Sequence, residues 1–60
     1  DKPYYSLQGY SLKVYRSACL YSLDGSQICS INADTQISID ALPDVFIIKF
    51  KDGTNCKLQK

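Results

Sequence analysis

The chain contains no histidine, tryptophan or methionine, and its acidic residues are all aspartate. Without histidine it lacks the commonest general base and metal ligand at neutral pH. No apolar run approaches the roughly 20 residues of a membrane-spanning helix, and residues 1–8 do not resemble a signal peptide. We therefore expect no enzyme, no cofactor or metal site, and no direct membrane insertion. Because the chain starts without methionine, we also expect it to be part of a longer protein.

Net charge and chain length further limit the classes of function that the protein can have. Seven basic residues against six acidic ones give a net charge of +1, which is too small a field to favour a nucleic-acid partner. A chain of 60 residues hides only about 60% of its unfolded surface, so its core is thin. We expect one domain over residues 1–60.

The residues that are present suit strands and turns. Apolar residues make up 45% of the chain, including five tyrosines and two phenylalanines, and such side chains pack well on pleated surfaces. Alternation and turn signals divide the chain into short segments. The predicted strands are Ser11 to Tyr15, Ala18 to Leu23, Gln27 to Ile31, Gln36 to Ala41, residues 45–50 and Thr54 to Lys60.

These strands predict an all-β fold. Short segments at spacings of about ten residues, with no helical periodicity, indicate an antiparallel sandwich or a partly open barrel. Of these we predict a small antiparallel immunoglobulin-like β-sandwich of about six to seven short strands. In the segment 36–41 we expect Ile37, Ile39 and Ala41 to point inward, and we expect residues 45–50 to form a central strand covered on both faces.

Two Asp-Gly pairs, Asp24-Gly25 and Asp52-Gly53, mark predicted hairpin turns. For the second pair, a three-residue loop over residues 51–53 with a glycine bulge places Ile48 opposite Cys56. The apolar side chains of the two strands then lie on the same face of the sheet. A two-residue loop would mix polar with apolar side chains. We therefore predict the bulged loop.

The first pair leaves two registers open, and they differ in their consequence for the cysteines. A three-residue loop places Cys19 opposite Cys29, where a cross-strand disulfide could form. A two-residue loop places Cys19 opposite Ser30 and leaves the two sulfurs on opposite faces. Since the chain has three cysteines, at least one has no partner within it, and all three could be small buried apolar residues.

In order, the segments "SLKV", "ACLYSLDGSQI", "ISIDALPDVFIIKFKDG" and "KLQK" resemble the C-terminal sorting domain of the type IX secretion system of Bacteroidetes. The resemblance covers Gly9 to Lys60, and residues 1–8 are a weakly matched lead-in. The matching elements are the hairpin at residues 20–25, the turn at residues 39–43, the strand at residues 46–49 and the basic end at residues 57–60. The chain departs from the family pattern at Asp44-Val45, where a glycine is usual.

The resemblance implies a non-catalytic signal that is recognised by outer-membrane translocon, shuttle and sortase components. It implies passage through the periplasm to the outer-membrane surface or the medium, with cleavage and surface attachment in many members. The implied contact residues are Leu42, Pro43, Lys57 and Lys60. The alternative reading is that Pro43 only shapes a turn and that the lysines only keep a strand edge soluble.

Two alternative hypotheses place the chain in other classes of protein. An adhesive or carbohydrate-binding sandwich would present aromatic side chains on one exposed face, for which the five tyrosines are candidates. A free-standing secreted miniprotein would need paired cysteines, which the odd count opposes. Whichever class applies, the last strand has an edge with few protecting residues and could add to a neighbouring sheet, so we expect a strand-swapped homodimer or pairing with a receptor edge.

Overall fold

The fold is a small all-β domain, seen in a computed structural model that describes residues 3–60. The strands are β1 (Tyr5–Gln8), β2 (Ser11–Val14), β3 (Ala18–Tyr21), β4 (Gln27–Ile31), β5 (Thr35–Ser38), β6 (Val45–Phe50) and β7 (Asn55–Gln59). Every strand pairing is antiparallel. No helix in residues 3–60 has the length and apolar character needed to cross a membrane.

The strands form two sheets, as the predicted β-sandwich requires. One sheet has the order β1-β2-β5 and the other has the order β4-β3-β6-β7. The chain therefore passes between the sheets three times, after β2, after β4 and after β5. Alternation within each strand sends one set of side chains to the core. The buried apolar residues of the described chain are Leu12, Val14, Ala18, Leu20, Ile31, Ile39, Phe46, Ile48, Phe50 and Leu58.

The predicted loop between β6 and β7 is confirmed. Ile48 pairs with Cys56 and Phe46 pairs with Leu58, while Phe50 donates its N–H to the carbonyl of Thr54. Three residues thus form the loop, and Gly53 has a φ of 96°. Residues that carry a side chain rarely adopt that backbone conformation, so glycine is required there.

Two segments differ from the prediction. The segment 36–41 leaves the strand earlier than predicted, and β6 is buried on one face and not on both. The chain turns after Ser38, so Ile39 is buried as expected but Ala41 is exposed. In β6, burial alternates, because only its inner face meets the other sheet. Ile47 is half-buried and Lys49 is exposed. The prediction that this strand is covered on both faces was therefore wrong.

The hairpin β1–β2 was not among the predicted pairings. Tyr5 pairs with Val14 and Leu7 pairs with Leu12, so the lead-in residues 5–8 complete the smaller sheet. Local patterns indicate this strand only weakly. It has four residues, and three of them are half-buried, so polar and apolar positions do not alternate clearly. The one-domain prediction also covers residues 1 and 2, which lie outside the described part.

The cysteines do not form the bridge that one of the two registers allowed. The three-residue loop is present, since Ser22 donates its N–H to the carbonyl of Ser26. A bulge in β4 then shifts the register by one residue, so Cys19 pairs with Ser30 and Cys29 pairs with Leu20. Cys19 and Cys29 therefore lie on opposite faces of the sheet, and both are free thiols, as is Cys56. The sequence analysis left both loop lengths open, and the structure combines the three-residue loop with a bulge that neither register included.

Candidate recognition surface

The residues expected to mediate recognition meet at one end of the sandwich, where the turn over residues 40–44 joins β5 to β6. The turn begins after the buried Ile39, whose carbonyl accepts a hydrogen bond from the N–H of Leu42 at 3.1 Å. Leu42 is half-buried and packs against the core, whereas Pro43 is exposed. The core therefore fixes one side chain of this turn and leaves the next one accessible.

Lys60 holds the same turn from the other side. Its backbone N–H donates to the carbonyl of Asp44 at 2.9 Å, and its Nζ donates to the carbonyl of Asp40 at 2.9 Å. These two bonds tie the residue after β7 to both ends of the turn. The structure thus brings Leu42, Pro43 and Lys60 together, and we call this set, with the turn carbonyls, the turn surface.

Lys57 is not part of the turn surface. It lies opposite Ile47 on β7, and strand alternation places its side chain on the outer face of the four-stranded sheet. Cys56 and Leu58, its neighbours, face the core. The two lysines that the resemblance implied are therefore separated, because Lys60 bonds to the turn and Lys57 lies on the outer face of the sheet.

The two Asp-Gly turns lie at other loops and are held by their own aspartates. Asp24 accepts hydrogen bonds from the hydroxyl of Ser22 and from the N–H of Ser26, the latter at 2.9 Å. The Ser22 hydroxyl, followed by the backbone of Ser26, lowers the pKa of Asp24. Gly25 follows with a φ of 93°. The hydrogen bonds given for Asp24 within residues 3–60 are all made inside this turn.

Asp52 plays the same part in the loop between β6 and β7 and adds a long-range contact. The Tyr4 hydroxyl donates to its Oδ2 at 2.6 Å, and the N–H of Thr54 donates to its Oδ1 at 2.9 Å. The Tyr4 hydrogen bond is the largest cause that lowers the pKa of Asp52, before the Thr54 bond and the charge of Arg16. The Arg16 Nη1 lies 3.9 Å from Oδ2. Sequence reasoning missed this contact, because its partners are far apart in the chain.

The five tyrosines do not share one exposed face. Tyr4 and Tyr5 pack against Phe50, with ring centroids 4.9 Å and 6.5 Å away respectively. Tyr21 lies on the outer face of the four-stranded sheet, whereas Tyr15 borders the outer face of the other sheet. Tyr10, in the turn between β1 and β2, is 60% exposed. A flat aromatic platform for a sugar is therefore not formed by these side chains.

Residues 3–60 do not bring a cluster of metal-ligating side chains together. No three cysteine or aspartate side chains of residues 3–60 come close enough to hold a metal ion. No protein-family model matches the chain, and no curated protein and no solved structure is significantly similar to it. The candidate site is thus a surface of backbone carbonyls, one proline and one lysine, which can act by shape, hydrogen bonding and charge.

Proposed function

We propose that the chain is a non-catalytic C-terminal secretion signal that directs an attached cargo protein across the outer membrane through the type IX secretion system. Its partners are then the translocon, shuttle and sortase components of that system. The cargo passes through the periplasm to the cell surface or the medium, with or without cleavage of the signal. The resemblance in element order between Gly9 and Lys60 supports this assignment.

One observation carries the proposal. The two features that the resemblance implies for recognition, the Leu42-Pro43 turn and the basic end of the chain, are joined by the hydrogen bonds of Lys60 to Asp40 and Asp44. A receptor that binds by shape needs such a preorganised surface, because ordering it at the moment of binding would lower the affinity. The arrangement also leaves Pro43 exposed for contact.

The proposal is tested by export. Residues 1–60 are fused behind a periplasmic fluorescent protein in a host that has a type IX system, and protease-accessible fluorescence is measured on intact cells. We expect a surface signal that is lost when the last five residues are removed. Because that deletion also removes the core residue Leu58, point variants are needed beside it.

The point variants separate recognition from folding. Lys60→Ala removes the Nζ bond to the turn, and Pro43→Ala changes the exposed part of the turn surface. Lys51→Ala is the matched control, because Lys51 is an exposed lysine in the loop between β6 and β7. We expect export to fall severalfold for the first two variants and to be unchanged for the third, with all three folded. A folded parent fusion that stays in the periplasm would overturn the proposal.

A further inference from the structure

The outer edge of β7 presents backbone N–H and C=O groups that have no hydrogen-bond partner within residues 3–60. Phe50 bonds to Thr54 at one end of the β6–β7 ladder, and Lys60 bonds to Asp44 at the other end. In an antiparallel pair, bonded positions alternate with non-bonded ones, so the residues between Thr54 and Lys60 that bond to β6 are Cys56 and Leu58. The N–H and C=O groups of Asn55, Lys57 and Gln59 therefore point away from the sheet.

Four strands lie at sheet edges, and β7 offers the longest regular one. The outer strands β1 and β5 of the smaller sheet have four residues each. The outer strand β4 carries the bulge at its pairing with β3, and a bulge twists an edge away from a partner. The ladder of β7 runs from Thr54 to Lys60 without a register shift. Among the edges of residues 3–60, an added strand would therefore find its longest continuous run of hydrogen-bonding groups at β7.

The side chains of β7 define what an added strand must carry. On the inner face, Cys56 is half-buried and Leu58 is almost fully buried, so side chains beside them would extend the core. On the outer face, Lys57 is exposed. The four strands of this sheet contain two lysines, Lys49 and Lys57, and no acidic residue. Among residues 3–60 the one ion pair joins Arg16 to Asp52, so Lys57 has no acidic partner.

We propose that β7 binds an extended peptide segment of a partner protein by strand addition, and that this segment alternates apolar and acidic side chains. The apolar side chains lie beside Cys56 and Leu58, and an acidic side chain lies beside Lys57. Main-chain hydrogen bonds to Asn55, Lys57 and Gln59 supply affinity, while the alternating side chains supply specificity. Opposite charges on neighbouring strands stabilise such a pair.

Charge disfavours a second copy of this chain as the occupant. A symmetric antiparallel pair of β7 strands centred on Lys57 places two lysines directly opposite each other, and like charges there are destabilising. Registers that avoid this contact move the lysine opposite Asn55 or Gln59, where it still has no acidic partner. A heterologous acidic strand gives Lys57 the acidic partner that residues 3–60 do not supply.

Purified protein and synthetic peptides test this inference, which does not rest on the proposed role in export. The probe is a short peptide in which valine and aspartate alternate, and the control peptide alternates valine and lysine. We expect the acidic peptide to bind up to about fivefold more tightly, as a cross-strand charge pair implies. In the complex, amide hydrogen exchange at Lys57 and Gln59 slows by about tenfold or more, because these N–H groups gain partners.

Variants at one position separate the backbone contribution from the charge. Lys57→Gln removes the preference for the acidic peptide, and Lys57→Glu reverses it, whereas the control Lys51→Gln changes neither. Lys57→Pro removes the outward N–H but no ladder bond to β6, so it weakens binding beyond the level of Lys57→Gln. Should that variant fail to fold, the exchange measurement on the parent protein decides the same point.

Three results would overturn the inference. The first is no binding of the acidic peptide at millimolar concentration. The second is binding that protects amides of β1, β4 or β5 and leaves those of β7 unchanged. The third is concentration-dependent protection of Lys57 without any peptide, which would assign the edge to a second copy of the chain.

Discussion

The hydroxyl of Tyr4 donates a hydrogen bond to Oδ2 of Asp52 and joins the start of the smaller sheet to the loop between β6 and β7 of the larger one. The Tyr4 ring packs edge-on against Phe50. The guanidinium carbon of Arg16 lies 4.2 Å from the centroid of the Tyr4 ring. An aromatic ring, a cation and a carboxylate thus close one end of the sandwich. This end lies at the β6–β7 loop and is distinct from the turn surface.

Tyr4→Phe tests the hydrogen bond while it keeps the ring. We expect the pKa of Asp52 to rise towards the ordinary aspartate value of about 3.9, because the largest cause that lowers it is removed. The pKa of Asp24, which is held by Ser22 and Ser26, should not move. Carboxyl chemical shifts followed by NMR during an acid titration measure both groups in one sample. An unchanged Asp52 pKa would contradict the assigned hydrogen bond.

Acid should destabilise the domain through the same two aspartates. The folded state lowers the pKa of Asp24 and of Asp52, so each carboxylate stabilises the fold above its unfolded pKa of about 3.9. That contribution is lost as the pH falls through the lower folded value. Urea unfolding should therefore show a stability that declines as the pH falls below about 5. The double variant Asp24→Asn, Asp52→Asn should show a flatter dependence over this range.

Phe46 is a fully buried side chain that sits opposite Leu58. Phe46→Ala should lower the free energy of unfolding by about 3–5 kcal/mol, from lost burial and the cavity that remains. Because folded domains are stable by only about 5–15 kcal/mol, and small ones lie at the low end, this variant should be largely unfolded at 37 °C. Phe46→Leu should lose less and stay folded. Circular dichroism with urea titration measures both changes.

The three thiols should all be free in the isolated protein. The bulge places Cys19 and Cys29 on opposite faces of the sheet, and Cys56 lies on β7 at the other edge. Alkylation in denaturant without reductant, followed by mass spectrometry, should add a label to each of the three cysteines. The same reaction under native conditions should be slower, since all three are half-buried. Labelling of a single cysteine would indicate a bridge that this fold does not hold.

The sequence predicted the features that depend on alternation and turn chemistry. The three-residue loop that ends in Gly53 and the pairing of Ile48 with Cys56 follow from local patterns, and the structure has both as predicted. The bulge in β4 could not be predicted, because either register buried a comparable set of side chains. The single-sided covering of β6 was also missed, since Ile47 is apolar although it lies on the outer face.

The candidate surface was predictable in its parts and not in its arrangement. Leu42, Pro43 and Lys60 were expected only because the resemblance to the sorting domain implies them. Their meeting depends on the β6–β7 register, which puts Lys60 beside Asp44. The separation of Lys57 from this group follows from the same register by alternation. The contact from Tyr4 to Asp52 had no local signal, because only tertiary packing brings the two residues together.

The strand order β4-β3-β6-β7 also sets the time at which the chain can fold. The hairpins β1–β2, β3–β4 and β6–β7 are local, but the larger sheet closes only when β6 reaches β3, and the smaller one when β5 reaches β2. Such non-local pairings are slow steps, and isolated hairpins are at best marginally stable in water. A chain that emerges N-terminus first therefore cannot close the larger sheet until Phe50 is free to pair with Ala18.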